Sequence, residues 1–202
     1  MKSLFLAIIP LGLLVACNPQ APAPKENDTS APAISGDMPE AAGEMDPSQK
    51  AMMMGRAFMD ERKSQQGIIT TDSGLQYQVL ASGDKAGQTP APGQIVCVHY
   101  RGSLISGEEF DSSYSRGVPA AFPSNALIPG WVEALGMMRA GDKWELVIPS
   151  ELAYGASGTP GGPIGPNEVL VFDVELLKVM DLSMEEYMQT YRMDMSLDCS
   201  KD

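Results

Sequence analysis

Imidazoles and thiols, the groups that most often attack, relay a proton or grip zinc near neutral pH, are scarce in this 202-residue chain, which has one histidine, His99, and three cysteines, Cys17, Cys97 and Cys199. A Ser-His-Asp arrangement would have to be built on His99. A zinc site of nitrogen and sulfur alone would need all four of those groups at one point. Cys97 and His99 stand two residues apart, the spacing that shares one strand face, but two ligands are too few for a metal. A structural histidine is the better reading. Met193 and Met195 suit Cu(I) by softness, a weaker reading than packing for a methionine-rich tail. The run 150–167 carries Gly155, Gly158, Gly161, Gly162 and Gly165, yet lacks the spacing and the Lys-Ser/Thr of a phosphate-binding loop. What remains is a set of rings, Tyr100, Phe110, Phe122, Trp131, Tyr154 and Phe172, with the carboxylate of Asp111 among them in sequence. Taken alone, such rings are more often core than pocket. With 26 acidic side chains against 14 basic ones, a net charge of -12 argues against nucleic-acid binding and disfavours adhesion to anionic lipid.

These residues need a scaffold, and the hydropathy pattern supplies one. Asp46-Pro47-Ser48-Gln49 reads as an N-cap, a proline at the first helical position and a capping-box glutamine. A helix to about Gln66 follows, stopped by Gly67. Met53, Met54, Ala57 and Phe58 give it one short apolar face, which docks on its own domain or, in a sharper reading, mediates dimers or grips unfolded clients. Beyond Thr71 the period becomes two, predicting strands over 75–80, 95–100, 143–148 and 169–179. One helix, over about 129–138, interrupts them. An antiparallel sheet with a single helix across one face buries both apolar surfaces, so the fold class is α+β. After Val179 come Met180, Met184 and Met188 at four-residue steps among acids, predicting a short amphipathic helix that packs back on the domain.

The N-terminus carries targeting chemistry. Lys2 precedes an apolar stretch over 4–16, too short to span a bilayer. It ends in Leu14-Val15-Ala16-Cys17, which resembles a bacterial lipobox and implies cleavage after Ala16 with lipid on Cys17. Asn18 then favours the outer membrane by resemblance to the enterobacterial sorting rule. Residues 17–45 are rich in Pro and Ala and poor in large apolar groups, which predicts a disordered tether. At about 3.1 Å per residue it would reach roughly 90 Å from the membrane.

Six segments then occur in order: Val98-His99-Tyr100-Arg101-Gly102, Glu109-Phe110-Asp111-Ser112-Ser113, Ile128-Pro129-Gly130-Trp131, Ile148-Pro149-Ser150, Leu152-Ala153-Tyr154-Gly155, and Leu170-Val171-Phe172-Asp173-Val174-Glu175-Leu176. Together they resemble the FKBP-type peptidyl-prolyl isomerases, and the flanks resemble the bacterial macrophage-infectivity-potentiator branch. The resemblance implies a twisted antiparallel half-barrel wrapped on one short helix, preceded by a helix and the tether. It also implies an apolar pocket floored by Trp131 and walled by Tyr100, Phe110, Phe122, Leu127, Ile128, Tyr154 and Phe172. Asp111 would sit at the rim with Tyr100 and Arg116 as neighbours, and His99 on the opposite sheet face. The Ile128 N–H and the Tyr154 hydroxyl would hold substrate carbonyls, with no nucleophile, metal or cofactor. Ala120 stands where many relatives carry Phe, implying a more open pocket partly covered by Phe122. The run 150–167 would overhang it.

The resulting organisation is a signal peptide over 1–16, a tether over 17–45, a helix and connector over 46–70, an isomerase domain over 71–179 and an acidic Met-rich tail over 180–202. The implied function is isomerisation of X-Pro bonds in unfolded or nascent envelope proteins, lipid-anchored in a Gram-negative envelope and facing the periplasm. The alternative is a non-catalytic chaperone or client-binding module using the Met-rich flanks. The short helix predicts a monomer or weak dimer. Cys199 is either free or paired with Cys97 in an oxidising compartment, and burial of Cys97 would forbid that bond.

Overall fold

The computed structural model describes residues 45–192 together with Leu197 and Cys199. The signal segment, Cys17, the tether up to residue 44, and Met193 and Met195 lie outside the described residues.

Helix α1, Pro47–Lys63, starts where the sequence predicts. The Asp46 carboxylate accepts from the N–H groups of Ser48 (2.9 Å) and Gln49 (3.4 Å), and Pro47 needs no partner at its position. The helix ends three residues earlier than Gln66, because tight bonds from Ser64 N–H to Glu61 and from Gln65 N–H to Arg62 close its last turn. Its buried stripe is also different from the one expected. Ala51, Gly55, Phe58 and Arg62 face inward, whereas Met53 and Met54 are half-buried and Ala57 is exposed. Two of the four inward residues carry no hydropathy signal. Gly55 is there because a Cβ would come within 2.5 Å of Val169 Cγ2, and Arg62 because it pairs with Glu145. This face docks on the chain's own sheet.

The strands are β1 (Ile68–Thr70), β2 (Gln76–Ala81), β3 (Ile95–Leu104), β4 (Glu109–Ser112), β5 (Ala120–Pro123), β6 (Lys143–Ile148) and β7 (Leu170–Met180). All pairings are antiparallel, in the order β1-β2-β6-β7-β3-β4, with β5 also on β3. The sheet therefore starts at Ile68, just ahead of the expected boundary. Along β6 and β7, Leu146, Ile148, Leu170 and Phe172 face one side, and Val147 and Val171 the other. The first side packs on helix α3, Pro129–Leu135, burying Trp131, Ala134 and Leu135. The second packs on Phe58 of α1.

One edge of β3 is divided between two short strands. Residues 95–98 pair with β5 and 101–103 with β4. Between those two strands the chain makes a single helical turn, α2 (Ser113–Arg116), which ends on Gly117 at φ +73. Where the ladder is broken, the buried Ser113 hydroxyl fills it. It accepts from Tyr100 N–H (2.8 Å), donates to Tyr100 C=O (3.2 Å) and touches His99 Nδ1 at 2.9 Å.

Helix α4, Met184–Arg192, forms as the methionine spacing predicts. Ser183 and Glu186 cap it reciprocally, and the Tyr187 hydroxyl donates to the Ala121 carbonyl at 3.2 Å. Met184 and Met188 are exposed. Cys97 is fully buried and yet bonded to Cys199, with Cα atoms 5.7 Å apart. The expectation that burial forbids this bond is corrected: the partner sulfur of Cys199 is itself part of what covers Cys97.

Candidate active site

The floor of the site follows from a close helix–sheet approach. A Cβ on Gly130 would lie 2.5 Å from Ile148 Cγ2, so α3 sits tight on β6 and the next residue, Trp131, is pressed into the concave face. Three rings stand edge-on to its indole: Tyr100 at 5.4 Å and 88°, Phe172 at 5.4 Å and 89°, and Phe122 at 6.4 Å and 85°. Such T-shaped contacts suit the ring quadrupole and hold the cluster rigid. Phe110 stands edge-on to Phe172 at 5.5 Å and 84°.

Phe110 and Asp111 are neighbours in a strand and should point to opposite faces. A bulge removes the conflict. Gly102 pairs with Asp111 and Ser103 with Glu109, leaving Phe110 as the extra residue, and both side chains reach the same cavity. That cavity, about 470 Å³, is lined by Tyr100, Phe110, Asp111, Phe122, Ala126, Leu127, Ile128, Trp131, Tyr154 and Phe172. All nine pocket residues nominated from sequence converge there. Ala126 is the liner that sequence reasoning missed, since a small residue in a turn carries no pattern. Within 150–167 only Tyr154 lines the cavity, 41% exposed between two short 3-10 turns. Ile164 turns into the core instead of overhanging the pocket, and Thr159 Oγ1 bonds both its N–H and its C=O. Ala120 packs against the core and does not line the cavity, which Phe122 walls.

The polar rim is a three-membered network. The Tyr100 hydroxyl donates to Asp111 Oδ2, Arg116 Nη1 donates to Asp111 Oδ1, and Arg116 Nη2 donates to the Tyr100 hydroxyl at 2.9 Å. The guanidinium also lies 5.5 Å from the centroid of the Tyr100 ring. Burial opposes ionisation of Asp111, but the hydrogen bonds from Tyr100 and Arg116 and the nearby positive charge prevail, holding the carboxyl below its ordinary value. Burial, then the bond to Asp111, pushes the Tyr100 phenol up. The rim thus presents a fixed carboxylate and a protonated phenol, able to orient a dipole without moving a proton.

His99 lies on the other face, stacked on Tyr114 at 4.6 Å and 14°, away from the cavity. Among the described residues no group of three His, Cys, Asp or Glu could hold a metal, and no helix is long and apolar enough to cross a membrane.

Residues 86–177 match the family described as FKBP-type peptidyl-prolyl cis-trans isomerase, and residues 16–79 match the domain amino terminal to it. The chain is 50% identical over 126 residues to the FKBP-type 22 kDa peptidyl-prolyl cis-trans isomerase of Escherichia coli K12, covering 62% of this chain and 60% of that protein. It is 46% identical over 125 residues to outer membrane protein MIP of Legionella longbeachae, covering 62% and 52%. The chain therefore spans less than two thirds of either relative. A crystal structure of a peptidyl-prolyl cis-trans isomerase from Pseudomonas syringae is 37% identical, with a TM-score of 0.61, and is covered in full by 69% of this chain. With these matches, its ring-floored cavity and its ordered motifs pointing one way, the chain belongs to the FKBP-type peptidyl-prolyl cis-trans isomerase family.

Proposed function

We propose that this chain accelerates rotation about X-Pro bonds in proline-containing polypeptides of the cell envelope. Rotation of a peptide bond faces a barrier of about 18–20 kcal/mol, and an X-Pro bond left alone takes tens of seconds or more. The planar amide owes its barrier to charge separation between oxygen and nitrogen, which water stabilises and twisting removes. A cavity floored by Trp131 and walled by Phe110, Phe122 and Phe172 withholds that solvation, favouring the twisted form relative to solution. The Ile128 N–H and the Tyr154 hydroxyl hold the flanking carbonyls, and Asp111 serves as an oriented acceptor. The convergence of these rings on one indole is the observation that carries the proposal. It favours an isomerase over a module relying on the Met-rich flanks, which contribute no residue to the lining of that cavity.

The test is cis-to-trans conversion of an X-Pro peptide by the full chain. Acceleration that is mostly lost in Phe172→Ala is expected; no acceleration by the wild type overturns the reading. The lipobox-like segment supports lipid on Cys17, an outer-membrane anchor facing the periplasm, and the shortness of α1 supports a monomer or weak dimer. Mass spectrometry of the envelope form would reveal acyl chains absent from Cys17→Ala, and a tight dimer in sedimentation at micromolar concentration would refute the second point.

A further inference from the structure

Glycine inside a strand weakens it, so a buried glycine in mid-strand needs a local cause. Gly102 sits in β3, opposite Phe172 on one side and Asp111 on the other. It is buried, and it is not among the residues of positive φ, so backbone conformation does not require glycine. Space does. A Cβ at this position would lie 2.6 Å from Phe172 Cε1 and 2.7 Å from both Phe110 Cε2 and Phe110 Cζ. Two pocket rings therefore cross the bare Cα in van der Waals contact, and one of them, Phe172, continues edge-on to Trp131. Gly102 shares its face with Tyr100, two residues before it, so this bare spot opens toward the cavity.

We propose that Gly102 is a positioning residue whose missing side chain is a notch that sets how far Phe110 and Phe172 stand into the pocket. The inference rests on the isomerase reading, and it assigns a determinant of substrate fit to a residue that makes no contact with substrate. The atoms a methyl group would strike are edge atoms at the far ends of two side chains, which must yield by shifting together, and the free volume beside them is the cavity. A methyl group at 102 thus converts into lost room for the proline ring and its neighbours. Losses of this size in an apolar pocket cost about tenfold or more in discrimination.

The experiment uses the full chain with Gly102→Ala, alone and combined with Phe110→Leu, which removes the Cε2 and Cζ atoms in contact. Gly102→Ala is expected to keep the far-UV circular dichroism of the wild type, shift the ring resonances of Phe110 and Phe172, and lower kcat/KM about tenfold, chiefly through KM. In the Phe110→Leu background the same substitution should cost several-fold less. Unshifted rings, an unchanged kcat/KM, or the same loss in both backgrounds each overturn the inference. If Gly102→Ala alone fails to fold, restoration of folding by Phe110→Leu together with Phe172→Leu supports the notch and continued unfolding refutes it. An inactive wild type would refute the isomerase reading instead, while the ring shifts still judge the notch.

Discussion

Two of the arginine–carboxylate pairs among the described residues lie at opposite faces of one sheet, and they differ in what surrounds them. Arg62 and Glu145 join α1 to β6 with side chains 4% and 6% exposed, and Arg62 is also stacked 5.8 Å from the Phe58 ring centroid. Arg116 and Asp111 meet at the pocket rim, 46% and 44% exposed. In the first, water cannot replace a lost partner, so each charge depends on the other. In the second, water competes throughout, and the net contribution to folding is small. What the rim pair offers is orientation: it keeps a carboxylate and a phenol aimed at the cavity mouth. One chemistry thus serves as a structural joint behind the sheet and as an orienting clamp in front of it.

The largest effect is expected from Glu145→Ala, which strands a buried guanidinium and should cost about 3–5 kcal/mol in denaturant unfolding, with isomerase activity per folded molecule unchanged. Replacing both partners by apolar residues, Arg62→Met with Glu145→Leu, should recover most of that stability. Next comes the Cys97–Cys199 bond, which closes a loop of sequence separation 102. Cys199→Ser should lower stability by about 2–4 kcal/mol, measured against the oxidised chain, while leaving the pocket active. Asp111→Ala should then cost only about 0–1 kcal/mol of stability, yet remove most of the rate enhancement. If Asp111→Ala destabilised as strongly as Glu145→Ala, the contrast between the two pairs would be wrong. The smallest effect is in pH. The Asp111 carboxyl lies below its ordinary value in the folded state, so its contribution is complete above about 3.9 and is lost only as pH falls through the depressed value. Activity should therefore be flat from pH 8 to 5, and an inflection inside that window would take charge control away from Asp111.

Much of this was legible in the residues, and the failures have physical causes. β6 occupies the predicted 143–148 because Trp144, Leu146 and Ile148 alternate with Lys143 and Glu145, a period that announces itself. β4 and β5 have four residues each, too few for a period to show, and β5 ends in Pro123. The inward stripe of α1 was misphased because hydropathy does not count Gly55 or Arg62. The motifs placed Phe110 and Asp111 in one pocket, but strand alternation alone would have separated them; only the bulge reconciles the two. The Cys97–Cys199 pairing is one of the two readings the cysteines allow, and burial does not forbid it because Cys199 itself contributes to that burial. Ser113 was invisible as a ladder substitute, because a serine in a turn looks the same whether or not a strand edge depends on it.

That serine has a consequence for how the molecule opens. The Tyr100 amide is held by a hydroxyl of the α2 corner, whereas its strand neighbours are held by the main chain of β7. Deuterium uptake at this one amide should then follow the loosening of the corner, independent of global unfolding. Its rate would serve as a built-in gauge of how often the Tyr100–Asp111–Arg116 rim comes apart.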